Sequence, residues 1–275
     1  MGSWYPEDPA EINEFLGFVR GNHDDSSAAG KDLHAKAAVS PHAGWYYSGK
    51  IAARSVSSLD RTADTVAVIG GHLPAGMPIL FAEEDAVRTP FGLMPVDKEL
   101  REALYKKLGG RGDRYQDNTV EVLLPMVHSF FPKANLLWVR FPANFSSYEA
   151  GRTLAETAKT LGRRLAVLGS TDLTHYGLNY GFSPRGSGKA ALDWVRNTND
   201  AGFIREVLKN DASGVLHCAE ENYSACSAGA VLGVMGFADY SGGLKSGLLD
   251  YGTSADVSRN EIPDSFVGYA SIAWT

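Results

Sequence analysis

The chain has 275 residues, 44% of them hydrophobic, and a formal net charge of −6. That length is ample for one large core, and the mild acidity argues against a polyanion binder, because phosphate recognition needs clustered Lys and Arg. No apolar stretch approaches a membrane span, no basic segment followed by an apolar core opens the chain, and Pro6 stands where a myristoylation signal needs Ser or Thr, so neither nucleic acid nor membrane is expected as a partner. Two cysteines, Cys218 and Cys226, are too few for a disulfide scaffold and point to a reducing, cytoplasmic compartment.

In chain order, Asp8-Pro9-Ala10-Glu11 reads as a helix start, with Asp8 as cap, Pro9 at the first helical position and Glu11 able to reach back. Ile12, Phe15, Leu16 and Val19 then recur at helical spacing. A strand over 36–40 ends in Pro41-His42-Ala43-Gly44, and 49–59 reads as a helix. Residues 65–70 (TVAVIG) form a continuous apolar run of the kind buried on both faces of a parallel sheet, ending in Gly71-His72. Segments 79–82 and 85–88 suggest an antiparallel excursion, 97–108 a helix, 136–141 a buried strand and 148–161 a helix. A strand at 165–169 runs into Ser170-Thr171-Asp172-Leu173-Thr174-His175, and 181–188 is a Gly/Ser/Pro loop. Helices at 193–209 and 227–237 and strands at 246–251 and 266–274 complete the pattern, with no linker and no repeat. The alternation predicts one α/β domain over 1–275, a central mostly parallel or mixed sheet flanked by helices.

Polar groups gather where such strands end. His42, His72 and the Asp172/His175 pair each come after an apolar strand, and ligands of open α/β sheets bind beyond the carboxyl ends of strands. A single His there is more commonly a cap or core residue; two at consecutive strand ends suit a metal, which needs imidazoles converging from different segments. Cys226 precedes an apolar helical run, where the helix dipole favours the thiolate that a metal binds; the alternative is an inert buried thiol, which is how Cys218 reads. Asp172 and His175, three apart, share one side of a turn and suit acid–base work, or else a cap and a structural His. Trp45, Tyr46 and Tyr47 either wall a pocket or staple the loop from below. His128 reads as structural, and His23, His34 and His217 as surface residues. No phosphate-binding glycine loop and no GxSxG elbow is present.

Read together, Gly2-Ser3-Trp4-Tyr5-Pro6, Pro41-His42-Ala43-Gly44-Trp45-Tyr46-Tyr47-Ser48-Gly49, Arg88-Thr89-Pro90-Phe91-Gly92, Pro95-Val96-Asp97, Ser170-Thr171-Asp172-Leu173-Thr174-His175-Tyr176-Gly177, Tyr251-Gly252-Thr253-Ser254-Ala255-Asp256-Val257 and Val267-Gly268-Tyr269-Ala270-Ser271-Ile272-Ala273 span nearly the whole chain. In that order they resemble the Memo family (mediator of cell motility; AmmeMemoRadiSam system protein B in bacteria). The resemblance implies a fold similar to class III non-haem iron extradiol dioxygenases and a two-His-one-Cys metal site, here His42, His72 and Cys226. It also implies catalytic roles for His175, matching the acid–base histidine of those dioxygenases, and for Asp172, and it implies a radical-SAM partner. Three segments depart from the family pattern. Gly71 replaces Asn or Ser, Asn118 stands at a histidine position while Glu121 keeps an acid, and Ser227-Ala228 replaces Gly-Arg. Substrate contacts are expected from Trp45, Tyr46, Asn118 and Glu121.

One transition-metal ion is therefore expected, Fe(II) or Cu(I) foremost and zinc as the alternative, since a thiolate in place of a carboxylate softens the site. Three functions suit it. One is a dioxygenase-like metal-dependent oxidoreductase acting on a small molecule or peptide; a second is a non-catalytic peptide binder or metal carrier on the same scaffold; a third is zinc-assisted hydrolysis near Asp172.

Overall fold

The computed structural model describes residues 2–21, 33–258 and 261–275; His23 lies outside them. Asp8 caps α1 (Pro9–Phe15) by accepting the Ala10 N–H at 2.8 Å, and a short α2 (Gly17–Gly21) comes next. β1 (Ala37–Ser40) is wholly buried and leads into α3 (Trp45–Ser58). That helix begins at Trp45 rather than 49, because the Trp4 carbonyl takes the Trp45 N–H at 2.8 Å and no side-chain cap is needed.

β2 (Thr65–Leu73) runs past the expected end through His72. β3 (Leu80–Phe81) and β4 (Ala86–Thr89) do not pair with each other. The first joins the main sheet, and the second forms a hairpin with β5 (Gly92–Pro95), whose Gly92 takes the positive φ of 111° that the turn needs. Then come α4 (Lys98–Leu108), capped by Asp97, β6 (Arg111–Gly112), α5 (Leu124–Phe130), β7 (Asn135–Pro142), α6 (Ser146–Thr160), β8 (Leu165–Ser170) and β9 (His175–Gly177). α7 (Gly188–Trp194) passes through a π-helical turn (Val195–Asp200) into α8 (Ala201–Leu208). α9 (Ala212–Asn222), α10 (Ala228–Tyr240), β10 (Ser246–Thr253) and β11 (Ser265–Trp274) end the chain.

The main sheet runs β10-β11-β1-β8-β2-β7-β3-β6, with β9 paired to β11. Its centre, β1-β8-β2-β7, is parallel, while β11 and β3 flank it antiparallel. The sheet is thus mixed, as expected. One face is covered by α4, α6, α8, α9 and α10 through residues such as Leu104, Leu154, Phe203, Val215 and Met235; the other by α1, α3 and α5 through Ile12, Val56 and Met126. Each such buried side chain contributes roughly 1.5–3 kcal/mol. No helix among the described residues is long and apolar enough to cross a membrane.

α10 is buried on every side from Ala228 to Ala238. Glycines let it lie backbone-to-backbone on α6: a Cβ at Gly151 would stand 1.9 Å from the Gly233 carbonyl oxygen, and one at Gly236 would stand 1.9 Å from that of Tyr148. This contact fixes the helix that begins just after Cys226.

Candidate metal centre

The strands that lead into His42, Asp172 and His72 are neighbours: β1, β8 and β2 are adjacent and parallel, so the residues at their carboxyl ends meet at one rim. His42 lies just past β1, Ser170 ends β8 with Asp172 two residues beyond it, and His72 sits near the end of β2 with a positive φ of 55°. Cys226 comes from the opposite direction, before α10. The ligand atoms of His42, His72 and Cys226 all lie within 4.8 Å of one another. His42 Nε2 is 3.2 Å from His72 Nε2 and 3.4 Å from Cys226 Sγ. A tetrahedral ion with nitrogen at about 2.0–2.1 Å and sulfur at about 2.3 Å sets these edges at about 3.3 and 3.6 Å. The donor set and its spacing therefore fit a metal ion.

The rings are aimed by their other nitrogens. His72 Nδ1–H donates to Asp117 Oδ2 at 3.0 Å, since a carboxylate only accepts. Asp117 is held by Arg140 Nη2 at 3.2 Å and by the Thr119 N–H at 2.8 Å. Arg140, a cation inside an otherwise apolar strand, also bonds the Gly71 carbonyl at 2.9 Å and reaches Asp113 at 3.3 Å. His42 Nδ1 lies 2.8 Å from Ser170 Oγ; donation there leaves Nε2 free for a metal. Such outer partners fix tautomer and ring orientation.

A family model described as Memo-like protein matches residues 1–273. The chain belongs to the Memo-like protein family. The MEMO1 family protein PH1626 of Pyrococcus horikoshii is 31% identical, covering 98% of this chain and 96% of its own. PYRAB05390 of Pyrococcus abyssi is equally similar, and TK1477 of Thermococcus kodakarensis is 29% identical over 99% and 97% of the two chains. A solved structure, the uncharacterized protein JW3007 from Escherichia coli K12, is more remote: its TM-score is 0.47 at 13% identity over 86% of this chain and 98% of its own, and no part of the site rests on it.

In this Memo-family chain the cluster's charges favour one another. Burial disfavours the Cys226 thiolate, but His42 and then His72 outweigh it and hold the thiol well below its usual range. Burial lowers His72, yet hydrogen bonds to Asp117 and Cys226 push it up to about 10. Burial lowers His42 as well, and Asp172 and Cys226 raise it overall. Burial raises Asp117, but its bonds from His72 and Thr119 pull it down to about 2. A cation bound here would displace the imidazole protons and meet a sulfur whose charged form the two rings already favour.

Asp172 is 4% exposed, and burial lifts its carboxyl above the usual range. Its Oδ1 accepts the His42 N–H at 2.8 Å, and its own N–H donates to Cys226 Sγ at 3.3 Å. His175 Nδ1–H donates to the Leu173 carbonyl at 3.0 Å, which leaves Nε2 as a base, and Tyr180 meets the ring edge-on at 5.0 Å. Both residues line a cleft of about 700 Å³ with His42, His72, Asn118 and the rings of Trp4, Tyr47, Tyr180 and Tyr269.

The expected substrate contacts divide. Asn118 lines the cleft and donates to the His42 carbonyl at 3.3 Å. Trp45 does not line it: it is 4% exposed and packs with Tyr5 and Phe15, its Nε1–H bonding the Val122 carbonyl at 3.0 Å. Tyr46 is 73% exposed and packs on Tyr47, which takes the place in the wall. Glu121 accepts from Tyr5 Oη at 3.1 Å outside the cleft lining. His128 is buried against Thr89 at 2.6 Å, while His34 and His217 are exposed. Sequence reasoning misses Asp117, Arg140, Ser170 and Ser227 as parts of the site. Only Arg140 leaves a trace there, as a charge that a buried strand must neutralise.

Proposed function

We propose that this chain holds one transition-metal ion through His42 Nε2, His72 Nε2 and Cys226 Sγ and is a dioxygenase-like oxidoreductase acting on a small molecule or peptide in the adjoining cleft. The observation that carries this reading is the convergence of His42, His72 and Cys226 on one point, with the two histidines also lining that cleft. The soft thiolate favours Fe(II) or Cu(I), with zinc as the redox-inert alternative. A redox-active ion supplies Lewis acidity and electron exchange when bound. The chain supplies the rest. The aromatic walls exclude water and orient a flat ligand. His175 Nε2, its tautomer set by Leu173, takes a proton from that ligand. Asp172 holds the His42 loop and, lifted by burial, can keep a proton near the reacting atoms. Two free cysteines suit a reducing, cytoplasmic setting, and family resemblance supports a radical-SAM partner, which co-purification tests.

Anaerobic purification, elemental analysis and oxygen uptake test the proposal. Cys226→Ala is expected to lose metal and oxygen consumption, and His175→Ala to keep the metal and lose the consumption. Full metal content in Cys226→Ala would refute the site. Tight metal binding without turnover across a substrate panel would favour a metal carrier or peptide binder. The Asn118 amide, which moves no proton, points that way.

A further inference from the structure

The Cys226 sulfur accepts more than one hydrogen bond. The Asp172 N–H reaches it at 3.3 Å, and the Ser227 hydroxyl lies 3.5 Å away. Thr171 Oγ1, at 3.8 Å, is not a comparable donor. Its hydrogen goes to the Asp172 carbonyl at 2.8 Å, and its oxygen accepts the Ser227 N–H at 3.1 Å. Ser227 is different. Its oxygen accepts the His72 N–H at 3.2 Å, which leaves its hydrogen to donate, and Cys226 Sγ is the acceptor it meets among the described residues. The serine has room only because residue 71 is glycine: a Cβ there would stand 2.2 Å from Ser227 Cβ. Gly71 and Ser227 are thus one steric arrangement.

We propose that Ser227 is a positioning residue that tunes the donor strength of the Cys226 thiolate toward a bound metal ion through an O–H···S hydrogen bond, an inference that rests on the proposed metal site. A hydrogen bond to a ligating sulfur withdraws electron density from it, and outer-shell contacts of this kind set the softness and potential of thiolate sites. The same hydroxyl ties the His72 backbone to the sulfur, so one side chain couples two of the three donors.

Cobalt(II) is the probe, read by the near-ultraviolet thiolate-to-cobalt charge-transfer band in wild type, Ser227→Ala and Ser227→Thr. Ser227 makes no side-chain cap on α10, so alanine leaves that helix intact. The Ser227→Ala band is expected at longer wavelength, because the released sulfur lone pair lies higher in energy, and Ser227→Thr is expected to restore it. Loss of the acceptor for the His72 N–H weakens cobalt binding without moving the band, so band position is the deciding measurement. An unmoved band in Ser227→Ala loaded with cobalt overturns the tuning and leaves the metal site standing. A wild-type cobalt complex with no sulfur band overturns the metal reading and this inference together.

Discussion

Asp117→Asn tests how far the site depends on what lies behind it. Asp117 Oδ2 takes the His72 Nδ1–H, and Oδ1 takes the Thr119 N–H and hydroxyl. An asparagine must turn its NH2 toward one side or the other, so either His72 and Arg140 or the Thr119 N–H faces a donor. A charge-assisted hydrogen bond contributes roughly 1.5–3 kcal/mol. At about 1.4 kcal/mol per tenfold, that is about a 10- to 100-fold loss of metal affinity, in line with carboxylates behind metal-bound imidazoles. Competition with a chelator of known affinity measures it, with zinc as the metal and His72→Ala as the reference for a missing ligand. Affinity within twofold of wild type, in a variant that stays folded, would show that the Asp117 contact does not aim the ring.

The fold dictates three more outcomes. Arg140→Met strips the cation from Asp113 and Asp117, whose side chains are each 7% exposed, and is expected to cost about 3–5 kcal/mol in urea unfolding. Gly151→Ala places a methyl against the Gly233 carbonyl; even with alanine's better helix propensity, a loss of about 2 kcal/mol or more is expected in the same assay. Burial lifts the Asp200 carboxyl to about 7, against the bonds it accepts from Thr174 and Tyr251. Folding therefore favours its protonated form, and its contribution is fully present below about pH 4 and lost as pH rises to about 7, roughly 4 kcal/mol in all. Asp200→Asn should be more stable than wild type at pH 8 and equal to it near pH 4; parallel pH profiles for the two proteins would contradict this.

Much of the architecture is legible in the chain because mainly apolar runs of strand length, such as 65–70 and 136–141 with its single Arg140, suit strands buried within a sheet. α9 escapes because Ala212–Asn222 carries Gly, Ser, His and Glu with little apolar periodicity; its cap, Asp211, which accepts the Gly214 N–H at 2.9 Å, is its clearest local sign. Trp45 misleads because a large aromatic beside a ligand reads equally well as pocket wall or as core, and only the Val122 carbonyl and the Phe15 ring decide it. The metal donors stand out as His and Cys at strand and helix ends. Their supports do not: Asp117, Ser170 and Ser227 are common polar residues whose part in the site depends on tertiary contact alone.

The glycine seam between α6 and α10 has a consequence for distant mutations. Because α10 is enclosed from Ala228 to Ala238 and touches α6 through bare backbone, the seam has no room to absorb crowding and the helix itself must shift. A bulkier residue at Gly236, near the far end from Cys226, would push α10 off α6 and, through Ser227 at the helix start, pull on the Cys226 segment that Asp172 holds. Lost metal loading in such a variant would look like long-range communication while being plain leverage.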